Sequence, residues 1–256
     1  MSSILHLGDC LDFIDTLEDD SIDMVFTDLP YGTTKCKWDK VIDLERMWRI
    51  LDRITKKTTP ILLNAQLPFD KTLACSNLKD LRYEWIWEKT SATGHLNSKR
   101  MPLKAHEQVL VFYKKLPLYN PIKTTGHKRK VSVAKRDKKQ SDAYGEQKGV
   151  TSYDSTERHP RDVQIFKSDK QTMAFHTTQK PESLGDYFVK TYSKEGDTVL
   201  DFTMGSGTYG VSCKRLGRNY IGCDYDIRNV DIAKYRIDNT QTVSYTHLTL
   251  PTNREV

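Results

Sequence analysis

A doubly wound, mostly parallel α/β sheet is the fold this sequence predicts, and three observations predict it. Short apolar, β-branched runs alternate with helix-periodic stretches from Ile4 to Leu78 and again from Glu182 to Ile237, the rhythm of strands joined by crossover helices. A hydrophobic strand, Val199-Leu200-Asp201, runs into Gly205-Ser206-Gly207 and then into a helix, a joint that in such sheets faces ligands. A second strand, Ile22–Thr27, runs directly into Asp28-Leu29-Pro30-Tyr31.

Taken in order, Ile4–Leu7 is a short strand ending at Gly8-Asp9, and Cys10–Leu17 follows with helical spacing. Ile22–Thr27 reads as a buried strand. Asp39–Ile54 carries Val41, Leu44, Met47, Trp48 and Leu51 at the spacing of one helix. Pro60–Leu63 reads as a strand and Phe69–Leu78 as a helix, with further strands at Tyr83–Trp87 and Val109–Tyr113. The second half gives helix Glu182–Tyr192, strand Thr198–Asp201, helix Thr208–Leu216, strand Tyr220–Asp224 and helix Ile227–Ile237.

The chain has 256 residues, 37% of them apolar, and a net charge of +6. This suits one α/β domain with an insertion. The basic balance points mildly to a polyanionic partner, and a merely basic surface accounts for it equally well. Cys10, Cys36, Cys75, Cys213 and Cys223 are odd in number and none has C-x-x-C spacing, so neither a disulfide framework nor a zinc site is expected, nor any other metal. The opening residues reach Asp9 and Asp12 without a long apolar run, and no stretch attains the ~18 apolar residues of a membrane helix. The expectation is no signal peptide, no membrane partner and a cytoplasmic location.

The α/β rhythm stops between Asn120 and Lys170. That stretch holds 13 Lys/Arg against 7 Asp/Glu, an excess equal to the net charge of the whole chain. It is densest at Lys128-Arg129-Lys130 and Lys135-Arg136-Asp137-Lys138-Lys139. A segment this long without periodicity is a large insertion, mobile or ordered by a ligand; for any single lysine a solvated loop is the competing reading. Four segments follow: 1–119, the basic insertion 120–170, 171–240 and a tail, 241–256. From Val243 onward the chain continues no helix and adds no strand, and it reads as non-native adapter read-through or a disordered tail.

Glycines at 205 and 207 let the backbone approach a ligand closely. The next strand ends in Asp224, 19 residues past Gly205, where an acid can accept hydrogen bonds from ribose hydroxyls. The loop lacks the third glycine of the dinucleotide fingerprint, and Asp201 at the strand end would repel a pyrophosphate. A carboxylate there suits an amine-bearing ligand, S-adenosylmethionine rather than NAD. An ordinary strand–turn–helix joint is the competing reading.

Asp28-Leu29-Pro30-Tyr31 lies at the carboxyl end of its strand, where α/β sheets bind ligands. Pro30 restricts Leu29 to extended conformations and so directs its carbonyl. An exocyclic amine on an aromatic base is a poor nucleophile because its lone pair is delocalised. Two acceptors aimed at its N–H bonds, the Asp28 carboxylate and the Leu29 carbonyl, would draw it toward a tetrahedral form, and Tyr31 could stack on the ring. A plain turn with a helix cap is the bland alternative.

These segments together resemble the DNA amino-methyltransferases that methylate adenine N6 or cytosine N4, in the subgroup whose catalytic motif precedes the cofactor motif. Asp28–Tyr31 is similar to that family's Asp-Pro-Pro-Tyr, with Leu29 replacing a proline. Gly8-Asp9-Cys10 resembles its motif for the cofactor adenine, and His106-Glu107 leading into Val109–Tyr113 resembles the strand before its recognition region. Arg161-Asp162-Val163 and then His176-Thr177-Thr178-Gln179-Lys180-Pro181 resemble its His-Pro-Thr-Gln-Lys-Pro element, with Thr177 for a proline, and Asp201–Gly207 its glycine loop.

The resemblance implies a Rossmann-like, S-adenosylmethionine-dependent methyltransferase with an inserted target-recognition region. It implies methyl transfer to the N6 amine of an adenine flipped out of double-stranded DNA, in the setting of restriction–modification. Asp28 and Leu29 would grip the amine, with Pro30 stiffening the turn and Tyr31 on the ring face. Asp9 would sit by the cofactor's adenine, Asp224 by its ribose, Asp201 by its amino group and Lys180 by its carboxylate. Phe202, Gly205, Ser206 and Gly207 would complete the glycine loop. Lys128, Arg129, Lys130, Lys135, Arg136, Lys138 and Lys139 would meet phosphates. An Asp rather than a Ser in the catalytic turn leans toward adenine. The alternatives are cytosine N4 and a catalytically weak cofactor- and DNA-binding protein of the same fold; a homodimer is compatible with the chain.

Overall fold

The computed structural model describes residues 2–34, 36, 38–136, 140–141, 145–146, 149–168 and 179–242. Lys138, Lys139, His176–Thr178 and the expected tail from Val243 lie outside the described residues, and Lys135 and Arg136 are described by their backbone alone. The described residues fall into two units, one running to Asn120 and resuming at Asp162, the other Pro121–Arg161.

The larger unit begins with β1 (Ser3–Leu7) and α1 (Cys10–Ile14), whose start is fixed by the Asp9 carboxylate accepting from the Leu11 and Asp12 amides. β2 (Met24–Thr27) leads through a long loop to α2 (Leu44–Ile54), then β3 (Ile61–Ala65) and α3 (Phe69–Ser76). β4 (Leu81–Thr93) and β5 (Lys104–Phe112) form an antiparallel pair. The smaller unit carries β6 (Lys130–Arg136), the two-residue strands β7 (Gln140–Ser141) and β8 (Gly145–Glu146), and β9 (Gly149–Ser155). β10 (Val163–Phe166), α4 (Glu182–Tyr192), β11 (Thr198–Asp201), α5 (Thr208–Leu216), β12 (Asn219–Asp224) and α6 (Ile227–Asp238) complete the larger unit.

The main sheet has the order β1-β12-β11-β2-β3-β5-β4-β10. All its neighbours are parallel except at β5, which is antiparallel to both β3 and β4. β2 and β3 are buried at every position, as expected of central strands covered on both faces. One face packs Val25, Leu63 and Leu200 with Ile14, Leu51 and Leu73 of the first three helices. On the other, Phe26 stacks on Tyr209 at 3.7 Å, and Phe188 meets Phe26 and Trp85 edge-on at 5.6 Å. From β2 the chain winds outward through α2 to β3; from β11 it winds the opposite way through α5 to β12. The neighbouring ends of β2 and β11 therefore flank the point where the winding reverses, the place where open α/β sheets bind ligands.

Several boundaries differ from expectation. The helix expected from Asp39 starts at Leu44, because Asp43 caps it through the Arg46 amide and Asp39 is engaged elsewhere. Helix α1 stops at Ile14 rather than Leu17. β4 runs six residues past Trp87 because β5 pairs along it as far as Thr93↔Lys104. Within 120–170, β6 and β9 pair antiparallel from Lys130↔Ser155 to Arg136↔Gly149, and Val163–Phe166 is an edge strand of the main sheet, parallel to β4. No helix among the described residues is long and apolar enough to cross a membrane.

Candidate active site

Asp28 leaves the end of β2, and each of its carboxylate oxygens has a partner. The Tyr31 hydroxyl donates to its Oδ1 at 2.6 Å, and the Lys180 ammonium lies 3.0 Å from its Oδ2. Lys180 Nζ also donates to the Tyr31 hydroxyl at 3.2 Å. The Tyr31 ring stacks on Phe69 at 5.5 Å, with Lys180 over its face at 5.4 Å. Leu29 turns inward and is buried. The loop beyond is held by Asp39, whose carboxylate accepts from the Gly32, Thr33 and Thr34 amides at 2.8, 2.9 and 2.6 Å. Burial works against that charge, but the hydrogen bonds win and hold Asp39 below the usual carboxylate range.

Behind Asp28 lies a chain of buried charges. Lys180 Nζ donates to Glu107 Oε2 at 2.8 Å, and Lys89 Nζ lies 2.6 Å from Glu107 Oε1. The side chains of Lys180, Glu107 and Lys89 are only 10%, 12% and 14% exposed. Burial alone would raise Glu107, but the two ammonium groups hold it at about 2. Burial pushes the Asp28 carboxyl up, partly offset by Lys180. It pushes Lys180 down, but Asp28 and Glu107 outweigh it and keep the amine protonated.

The glycine loop follows β11. Gly205 and Gly207 have φ of +51° and +71°, and the space where a Gly205 side chain would stand is open. Asp224 Oδ2 accepts from the Gly205 amide at 3.1 Å, while its Oδ1 takes the Asp226 amide and the Asn229 side chain. Arg236 of α6 reaches under the loop to the Ser206 carbonyl at 2.7 Å and to Glu182 at 2.8 Å. The loop and the catalytic turn are joined by hydroxyls. Thr27 donates to Asp201 Oδ1 at 2.7 Å, the Thr203 amide donates to Thr27 Oγ1 at 3.2 Å, and the Thr203 hydroxyl donates to the Asp28 carbonyl at 3.1 Å.

Asp28, Tyr31 and Lys180 thus converge, and Gly205, Ser206 and Gly207 form one loop that Asp224, at the end of β12, holds through the Gly205 amide. Four expected site residues have engagements within the protein itself. Asp201, expected at a ligand's amino group, is 1% exposed, its second oxygen taken by the Tyr220 hydroxyl at 3.1 Å. Burial pushes it up to about 7. Lys180, expected at a cofactor carboxylate, lies at the catalytic turn. Phe202 belongs to the hydrophobic core. Asp9 caps α1. In the smaller unit, Arg129 is held by Asp154 through two hydrogen bonds of 2.7 and 2.6 Å; Lys128 and Lys130 lie beside it in sequence. Glu107, Lys89, Thr27 and Thr203 had no site role assigned from sequence. The only local signal was His106-Glu107 before an apolar strand.

A family model described as DNA methylase (N6_N4_Mtase) matches residues 22–235. The Type II methyltransferase M1.MboII of Moraxella bovis is 28% identical over 260 residues, covering 93% of this chain and 97% of that protein. M.HinfI of Haemophilus influenzae is 27% identical over 258 residues, covering 90% of this chain and 67% of that one. Among solved structures, the M1.HpyAVI–SAM complex superposes with a TM-score of 0.63 at 21% identity, covering 92% of this chain and 99% of the other. The cytosine-N4-specific PvuII DNA methyltransferase gives 0.65 at 14% identity, covering 100% and 89%. These two likenesses concern the fold.

Proposed function

The chain belongs to the N6/N4 DNA methylase family, and we propose that it transfers a methyl group from S-adenosylmethionine to the N6 amine of an adenine flipped out of duplex DNA. The observation that carries this reading is the junction of β2 and β11. Asp28 at the end of one strand is tied through Thr203 to the glycine loop at the end of the other. A carboxylate suited to an amine and a loop suited to a nucleoside-bearing ligand thus stand at adjoining strand ends.

The residues fit the cofactor. Open space beside Gly205 lets a ligand approach the backbone, and Asp224 Oδ2 keeps acceptor capacity for a ribose hydroxyl. S-adenosylmethionine, when bound, supplies a methyl group already activated by its sulfonium. What the protein must add is position and polarisation. Asp28 and the Leu29 carbonyl accept the two amine hydrogens, and Tyr31, braced by Phe69, stacks on the base. Asp201 acts as a strut between the loops, and Asp9 flanks the cofactor's adenine. Lys128, Lys130 and their basic neighbours meet phosphates.

The test is transfer from labelled S-adenosylmethionine to unmethylated genomic DNA, read by nucleoside mass spectrometry. N6-methyladenine is expected, and Asp28→Ala should reduce it about 100-fold or more. N4-methylcytosine would overturn the base assignment. Cofactor binding without any DNA methylation would overturn turnover on DNA.

A further inference from the structure

Glu107 shares the Lys180 ammonium with Asp28. Both Asp28 oxygens already have donors, Tyr31 on Oδ1 and Lys180 on Oδ2. An amine that arrives at this carboxylate must compete with them. Lys180 is almost wholly enclosed, and a buried ammonium does not release its counter-ion unless another is at hand. Glu107 is that second carboxylate, 2.8 Å from the same nitrogen and anchored from behind by Lys89 at 2.6 Å.

We propose that Glu107 is a positioning residue for methyl transfer: by sharing Lys180 with Asp28 it lets the substrate amine take an Asp28 oxygen while the buried ammonium stays paired. The inference rests on the reading of Asp28 as the group that grips the amine. Lys180 is the yielding partner, Glu107 the one that keeps it, and Lys89 the group that fixes Glu107 in place. With Glu107 neutral, Asp28 becomes the sole carboxylate on Lys180 among the described residues, and the pair closes against the amine.

The charges around Asp28 give the inference a signed test. Facing it are Lys180, Tyr31, Glu107, Asp201 and Tyr209, with Lys89 behind Glu107. Glu107→Gln removes a negative charge, so Asp28 should ionise at lower pH. Lys89→Gln removes a positive one, so Asp28 should ionise at higher pH. In the full-length protein, the acid limb of the kcat profile should move in these opposite directions by about half a pH unit or more. In Glu107→Gln, kcat should fall about tenfold or more while cofactor Kd changes less than about twofold. The Asp28 carboxyl 13C resonance, identified by its loss in Asp28→Asn, should titrate with the same opposed shifts and needs no substrate. Opposed shifts support the inference even where DNA is not the acceptor. Shifts of one sign, or none, in a folded variant overturn it. Absence of methyl transfer by the unaltered protein overturns the proposed function instead.

Discussion

The carboxyl of Asp201 shows how far one residue's surroundings can be tested. Burial at the strand junction pushes it up to about 7, against the lowering pull of the Thr27 and Tyr220 hydroxyls. In the unfolded chain it titrates near its ordinary value of 3.8. The folded state therefore keeps a proton that the unfolded state releases. Its contribution to stability is complete below about pH 4 and is lost as the pH rises through about 7, a loss of up to about 4 kcal/mol. Asp28 is raised with the same sign, and Glu107, lowered from 4.5 to about 2, loses its contribution only as the pH falls through that range. The informative quantity is therefore the difference between two proteins. Between about pH 5 and about pH 8, the unaltered chain should lose more melting temperature than Asp201→Asn, whose amide cannot ionise. Equal losses would mean that the buried carboxyl is ionised in the fold at neutral pH.

At the scale of elements, the glycine loop separates two reasons for glycine. Gly205 has φ of +51° and nothing within 4 Å of a would-be Cβ; Gly207 has φ of +71° and would place that atom 2.6 Å from the Ala233 Cβ of α6. Gly205→Ala should thus cost only the left-handed backbone penalty, about 1 kcal/mol. Gly207→Ala adds overpacking against α6 and should cost roughly 2–4 kcal/mol in denaturant melts; equal costs would show that α6 yields freely. This loop was legible in sequence because its signal is local, as were α4, β11 and α5, whose bounds match the periodicity. The start of α2 was not. Val41 extends the apolar spacing backward, but the Asp39 carboxylate is spent on three amides that precede it, and spacing cannot register that competition. Glu107 was illegible as a site residue for a similar reason. Its partners come from β4, 18 residues away, and from Lys180, 73 residues away. Only the pairing of β4 with β5 and the return of the chain to the sheet create the cluster.

At the scale of the whole molecule, charge is unevenly shared. The stretch from Asn120 to Lys170 carries an excess equal to the net +6 of the chain, so the remainder is balanced. Binding to duplex DNA should therefore draw its salt dependence from this stretch. Its basic residues are not equivalent, however. Arg129 is spent on a two-point pair with Asp154, and Lys123 lies 2.9 Å from Glu157, so each already has a counter-charge and would release few counterions from a phosphate. Lys128 and Lys130 flank Arg129. Each lysine that neutralises a phosphate adds about one to the slope of log affinity against log salt. The Lys128→Ala, Lys130→Ala double variant should lower that slope by about two, and Arg129→Ala by less than about one. Fluorescence anisotropy on a labelled duplex between about 50 and 200 mM salt measures both. A larger loss from Arg129 would mean that Asp154 releases it to the phosphates. An unchanged slope in the double variant would remove these lysines from the DNA interface and shift the search to the balanced remainder of the chain.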